Sequence, residues 1–359
     1  MSSKKYSWII LFVLIAAIKV FSFFPAAVEK YYTGMIYPVI TAVQRILFGW
    51  LPFSAGDILY GVTVIWLIIK VYKFFKIIVK KKADRLFWLN GLRQGLFFAL
   101  SVYMLFNLLW GLNYNRIGIA KQLGLKEEIY QKEDLLAVVD QLVYNINELD
   151  TVARINRKYL AINQNLFLGA IEAYDTLATY RSQFVYQHPS VKPSLYSYLG
   201  NYLGFTGYYN PFSGEAQVNT TVPVFVLPFT TCHEIGHQLG YAKESEANFA
   251  GFLAAKSSLD PAFKYSVYFD MYLYARRYIY NLDSNLLKSY DKQLGGVVKS
   301  DYRELRDFWK KYENPMERLV DVVYGEYLRA NQQPSGKLSY SEVISWLIAY
   351  YKKYGRDAI

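Results

Sequence analysis

One cysteine, three histidines and eleven prolines in 359 residues exclude several architectures at once. A single Cys cannot form an internal disulfide, so Cys232 reads as a small buried residue. Acidic side chains are also scarce, with 29 Asp and Glu against 40 Lys and Arg and a net charge of +11. Nucleic acid is one partner for such a balance. Here the cations cluster beside apolar runs, which points to anionic lipid headgroups and away from nucleic acid. No internal repeat is evident. What is abundant is apolar surface: hydrophobic residues make up 53% and aromatics 18% of the chain, high for a soluble enzyme and directed towards a lipid bilayer.

The apolar residues concentrate in the first third. Lys4 and Lys5 precede a run from Trp8 to Phe24, a second run starts at Ile58 and extends past Lys70, and a third covers Leu96 to Leu112. Three transmembrane helices are expected, at about 8–24, 58–76 and 94–112, with Trp110 and Tyr114 at the membrane interface. Lys73, Lys76, Lys80, Lys81, Lys82, Arg85 and Arg93 lie between the second and third runs, which makes that loop and the N-terminus cytoplasmic. Residues 35–51 are apolar too, but a span there would reverse the charge asymmetry. They are therefore read as an interfacial or re-entrant helix with Arg45 turned to the headgroups. Residues 1–112 then form a membrane domain and 113–359 an extracytoplasmic domain of a multi-pass protein of a bacterial cytoplasmic (inner) membrane.

That outer domain reads as mainly α. Helical periodicity marks Glu133 to Leu149, Thr151 to Tyr180 (one long helix or a hairpin), Glu244 to Ser257, Pro261 to Asn281, Tyr302 to Tyr312, Pro315 to Asn331 and Ser339 to Tyr354. A strand is expected from Ala216 to Val226, where Ala216, Val218, Thr220, Val222, Val224 and Val226 alternate with the opposite face. Pro223 and Pro228 remove ladder donors, so the strand is assigned to the edge of a small sheet, open to an added peptide or closed as a structural hairpin.

Between these elements stands His233-Glu234-Ile235-Gly236-His237. On a helix the four-residue spacing sets both imidazoles on one face, where they can grip one metal ion, and Glu234 stands beside them to take a proton from water. With so few histidines, a chance occurrence has odds on the order of one in a thousand. A catalytic zinc ion takes three protein ligands and keeps one position open. Gly240 reads as the helix stop, and the next helix returns carboxylates at once: Glu244 is the expected third ligand, Glu246 the alternative, and Asn248, one turn after Glu244, a support for a ligating His. His188, in a turn-rich loop, is a further ligand or oxyanion candidate. Tyr324, Tyr327 and Tyr340 are candidates for polarising a scissile carbonyl.

These residues resemble the zincin metallopeptidases, and more narrowly the gluzincins, whose Glu-x-x-x-Asp second helix is similar to Glu244-Ser-Glu-Ala-Asn248 with Asn in place of Asp. The apolar N-terminal runs, the Pro211 to Asn219 segment, the motif and Glu-Ala-Asn-Phe together resemble an uncharacterised bacterial family of membrane-anchored, peptidase-like proteins. The resemblance implies a zincin-like domain, a Zn2+ cofactor and a peptide or protein substrate cut with a water that Glu234 activates. The rival expectations are a non-catalytic binding or regulatory protein on the same fold, and a zinc hydrolase of another amide.

Overall fold

The computed structural model describes residues 2–81, 83–126, 130–331 and 340–359. It is mainly helical, with one small sheet. Local sequence explains many of the helix starts. Ser54 accepts from the Asp57 amide at 3.0 Å to begin Ala55–Val79, and Asp84 accepts from Phe87 N at 2.7 Å to begin Arg85–Leu109. Gln131 and Asp134 form a reciprocal capping box for Lys132–Leu160. Asp260 followed by Pro261 opens Pro261–Leu282.

The expected long helix or hairpin over 151–180 proves to be two helices, Lys132–Leu160 and Asn163–Ala178. A helix at Ser284–Gln293 was not anticipated, being short and polar on most positions. Glu244–Ser257 has the expected bounds.

Two N-terminal helices, Lys5–Ser22 and Arg85–Leu109, are long and apolar enough to cross a membrane. Between them Ala55–Val79 turns Ile58, Val62, Ile65, Ile68 and Val79 outward. The third apolar run ends as a helix at Leu109 and not at Leu112. Trp110 and Tyr114, expected at an interface, are buried in the fold at 5% and 4% exposure. Arg45 is corrected in the same way. It does not face outward but is 6% exposed, with Nε donating to the Thr41 carbonyl and its guanidinium 5.2 Å from the centre of the Tyr186 ring. The helix Tyr37–Phe48 buries Tyr37, Thr41, Gln44 and Arg45 on one face and exposes Val39, Val43, Ile46 and Leu47 on the other.

The sheet corrects the strand expectation. It has three short strands, β1 Val191–Pro193, β2 Gly207–Asn210 and β3 Glu215–Val218, in the order β1-β3-β2. The strand ends at Val218, and β3 is central, parallel to β1 and antiparallel to β2. Pro223 lies beyond its end, so the missing donor says nothing about an edge. Val224–Val226 is a 3-10 turn leading into the helix Leu227–Gln238, and there Pro223 and Phe225 are buried like Val222 and Val226, so the alternation marks no exposed face.

The helix Leu227–Gln238 carries the histidine motif through the middle of the molecule, packed on Glu244–Ser257, Asn163–Ala178, Pro261–Leu282 and β3. It stops where Gly240 takes φ +83, with Gly240 N donating to His237 O and Tyr241 N to Gly236 O. These paired bonds are a Schellman termination, and the left-handed conformation suits glycine. The last carbonyls of the helix are capped from the N-terminal third. Trp110 Nε1 donates to His237 O at 3.1 Å, and the Tyr37 hydroxyl donates to Gln238 O at 2.9 Å. Arg116 bonds Gly240 O at 3.0 Å and pairs with Glu29 at 2.9 Å. The segments flanking the apolar helices are therefore part of the same packed body as the motif.

Candidate metal centre

His233 and His237 lie one turn apart, with ring centres separated by 4.7 Å and planes perpendicular. The turn at Gly240 reverses the chain so that Glu244, first residue of the next helix, faces both rings. Its Oε2 is 3.4 Å from His233 Nε2 and its Oε1 is 3.7 Å from His237 Nε2. The two helices close tightly because position 251 is glycine: a Cβ there would stand 3.0 Å from His233 N. Ligating atoms of His233, Glu234 and His237 all fall within 4.8 Å of one another.

The protonation pattern around these groups is constrained. His237 Nδ1 lies 2.8 Å from the Tyr241 carbonyl, which can only accept, so Nδ1 carries the proton. Burial first, then the neighbouring His233 charge, push the His237 imidazole down to about 4 even though Glu244 opposes them. A neutral His237 thus presents an Nε2 lone pair to a carboxylate oxygen. Two acceptors facing one another are unfavourable unless a cation or proton stands between them. Burial alone would raise the Glu244 carboxyl, but the imidazoles and the Tyr324 hydroxyl outweigh it and bring it to about 2, so it stays ionised. Tyr324 donates to Glu244 Oε1 at 2.6 Å. His233 is raised against its burial by Glu244, Glu234 and the Asn248 side chain.

Glu234 is 3% exposed, and its Oε2 has no partner among the described residues. Burial pushes its carboxyl up to about 8, with His233 lowering and Glu244 adding to the shift. Strand β2 runs directly over it: a Cβ at Gly207 would lie 2.6 Å from Glu234 Oε1. Glu246 turns away from the imidazoles. It is buried with Lys243 and Arg116 as its nearest cations, and burial raises its carboxyl. Asn248 is 1% exposed beside His233, with Oδ1 accepting from Tyr274 at 3.5 Å, but it does not reach hydrogen-bond geometry at His233 Nδ1. His188 is exposed on its loop at φ +52 and does not join the group. The side chains of Tyr327 and Tyr340 lie outside the described residues. Cys232 is fully buried, as expected.

Three further residues belong to the site. Asp270, on Pro261–Leu282, is pushed up to about 8 by burial and feels the His233 charge, and its Oδ2 has no partner among the described residues. Its one visible signal is an acid standing alone in the aromatic stretch Tyr265 to Tyr274. Trp110, whose ring centre is 5.9 Å from that of His237, and Tyr37 carry no local signal, because they reach the motif from far away in sequence. A cavity of about 310 Å3 between Lys126, Tyr130, Ile348 and Lys352 shares no residue with this group.

The donor set fits a divalent cation: two imidazole nitrogens and an ionised carboxylate converge, and the outer nitrogen of His237 is fixed by a carbonyl. Glu234, whose Oε2 has no partner among the described residues, stands next to them.

Comparison with family models matches residues 32–348 to the family described as "Protein of unknown function (DUF3810)". The match covers most of the chain, which belongs to that family. No curated protein and no solved structure matches it.

Proposed function

For this member of a family of unknown function, we propose a membrane-anchored, zinc-dependent metallopeptidase whose site lies outside the bacterial cytoplasmic membrane. The observation that carries the reading is the convergence of His233 Nε2 and His237 Nε2 on the Glu244 carboxylate, at 3.4 and 3.7 Å, with the other nitrogen of His237 held by the Tyr241 carbonyl. His233, His237 and Glu244 hold the ion, and a set of two nitrogens and one oxygen suits Zn2+. When bound, such an ion polarises a carbonyl and acidifies water. Glu234 accepts the proton of the attacking water and delivers it to the leaving amine, and its buried setting raises its basicity for that task. Tyr324 orients Glu244. Asn248 and Asp270 act on His233 through dipole and charge, without a hydrogen bond to its Nδ1. The likeness to gluzincins rests on these roles, with Asp270 supplying the acid that Asn248 lacks.

The membrane reading draws on Lys5–Ser22 and Arg85–Leu109, on the outward apolar face of Ala55–Val79, and on the basic residues that cluster at the far ends of the last two helices. The N-terminus is then cytoplasmic and the metal centre extracytoplasmic. The test uses the full chain in detergent or nanodiscs, assayed for bound zinc, for cleavage of a peptide library and for hydroxamate binding. The expected result is about one zinc per chain with hydroxamate-sensitive cleavage. Zinc without cleavage or hydroxamate binding would leave a non-catalytic module, and a chain that retains no metal would end the metal reading.

A further inference from the structure

Residues 193–214 carry no Lys, Arg, Asp, Glu or His in a chain that is 19% charged. They contain the helix Ser197–Leu203, which sits between β1 and β2 and leaves Leu195 56%, Tyr198 71%, Leu199 52% and Tyr202 49% exposed. Tyr202 packs edge-on against Tyr312 at 5.1 Å, at the border with the charged helix Gly296–Tyr312. The segment itself exposes leucine and tyrosine without a charge, which is unusual in water, and tyrosine is enriched where a protein meets lipid headgroups.

The same segment is fastened to the start of the apolar helix Ala55–Val79. Asp57 accepts from Leu195 N at 2.8 Å, and the Tyr196 hydroxyl donates to the Asp57 carbonyl at 2.7 Å. A Cβ at Gly61 would stand 2.7 Å from that hydroxyl, so Tyr196 reaches the level of Gly61. Outward apolar side chains on Ala55–Val79 begin earlier, at Ile58 and Leu59. The uncharged segment therefore lies alongside the first turn of the stretch that enters the bilayer.

We propose that Ser197–Leu203 and the residues before it are a second membrane contact, with Leu195, Tyr198, Leu199 and Tyr202 resting in the headgroup and acyl boundary of the outer leaflet. The inference rests on the membrane-anchored reading above. Its consequence for the site is positional. Three residues separate Leu203 from Gly207, the residue packed on Glu234, so the end of this helix and the residue over the proposed base are at most about 14 Å apart.

Spin labels placed one at a time by Leu199→Cys, Ile65→Cys and Ile155→Cys test it in the full chain reconstituted in phosphatidylethanolamine and phosphatidylglycerol vesicles. The native Cys232 is fully buried, and all three positions are exposed. Position 65 samples the apolar helix, and position 155, on Lys132–Leu160, serves as the aqueous reference. The label at 199 is expected to collide with oxygen and not with a water-soluble nickel chelate, as at 65, giving an oxygen-to-nickel ratio several-fold above that at 155. Behaviour at 199 like that at 155, with 65 reading as lipid, overturns the contact and leaves the anchor standing. Aqueous behaviour at both 65 and 199 overturns the anchor as well. Shielding of 199 from both reagents means a protein neighbour, a second copy or a partner, and also overturns the contact.

Discussion

Glu215 and Glu234 are two almost wholly buried carboxylates in one small region, and their surroundings are opposites. Glu215, on β3, accepts from Gly56 N at 2.7 Å, Ala55 N at 3.2 Å and the Ser54 hydroxyl at 3.4 Å, with the Lys192 ammonium nearby. It caps the start of Ala55–Val79, where the helix dipole favours an anion. Lys192 in turn donates to Gly49 O at 2.6 Å, and Asp57 ties the same helix start to Leu195 and Tyr208. Glu234 has an oxygen without a partner among the described residues and a carboxyl held up near neutral pH. A buried acid with both oxygens engaged is holding elements together. One left unsatisfied costs stability and is retained where chemistry uses it.

The largest effects should separate the two acids. Glu234→Gln is expected to lower peptide hydrolysis by about 10²–10⁴-fold, the usual contribution of a general base, while zinc content and folding stay as in the wild type. Cleavage at the wild-type rate in a zinc-loaded Gln variant would remove Glu234 from the mechanism. Glu215→Ala is expected to do the reverse. It strands two buried amides and should cost about 1–3 kcal/mol for each, measured by chemical unfolding in detergent. Stability unchanged by that substitution would mean the cap carries no load.

The ligand side of the comparison is tested by metal affinity. Glu244→Ala should abolish stoichiometric zinc, whereas Glu246→Gln should leave it in place, because Glu246 faces away from the imidazoles. Asn248→Ala is expected to weaken zinc by about 10–100-fold in a chelator competition, the range for a residue behind a ligand. Equal losses for the Glu244 and Glu246 variants would undo the assignment of the third ligand.

How much of this could be read from the chain follows sequence distance. One helical turn brings His233, Glu234 and His237 together, and the turn at Gly240 with the next helix start brings Glu244 to them, so that juxtaposition is legible in the chain, whereas the expected bond from Asn248 to a histidine is not made. Asp270, Trp110, Tyr37 and Gly207 reach the site only through tertiary packing, and no local pattern names them. The strand failed for a related reason. Alternation at Ala216 to Val226 tracks no exposed face, since β3 is buried on both sides, and strand length and the central position of β3 depend on β1 and β2. Arg45, Trp110 and Tyr114 were assigned to an interface because hydropathy cannot distinguish a lipid surface from the face of a packed domain.

The smallest expected effect concerns the metal-free protein and its pH dependence. Glu234 and Asp270 both have folded-state values near 8, well above the ordinary carboxylate range. Between about pH 5 and pH 8 the unfolded chain has released both protons and the folded chain still holds them. At these two sites the native state therefore binds more protons; His237, held down to about 4, counts the other way below its ordinary value, so stability must fall as pH rises from about 6.5 to 8. Chelator-treated wild type should lose about 1–3 kcal/mol between those limits, read as a falling unfolding midpoint. Glu234→Gln and Asp270→Asn should each flatten the slope, and the apo variants should be more stable than apo wild type at pH 8, because neither buries an uncompensated charge. A rising midpoint across the same interval would mean that these carboxyls are ionised and partnered in the folded protein, which would erase the contrast with Glu215.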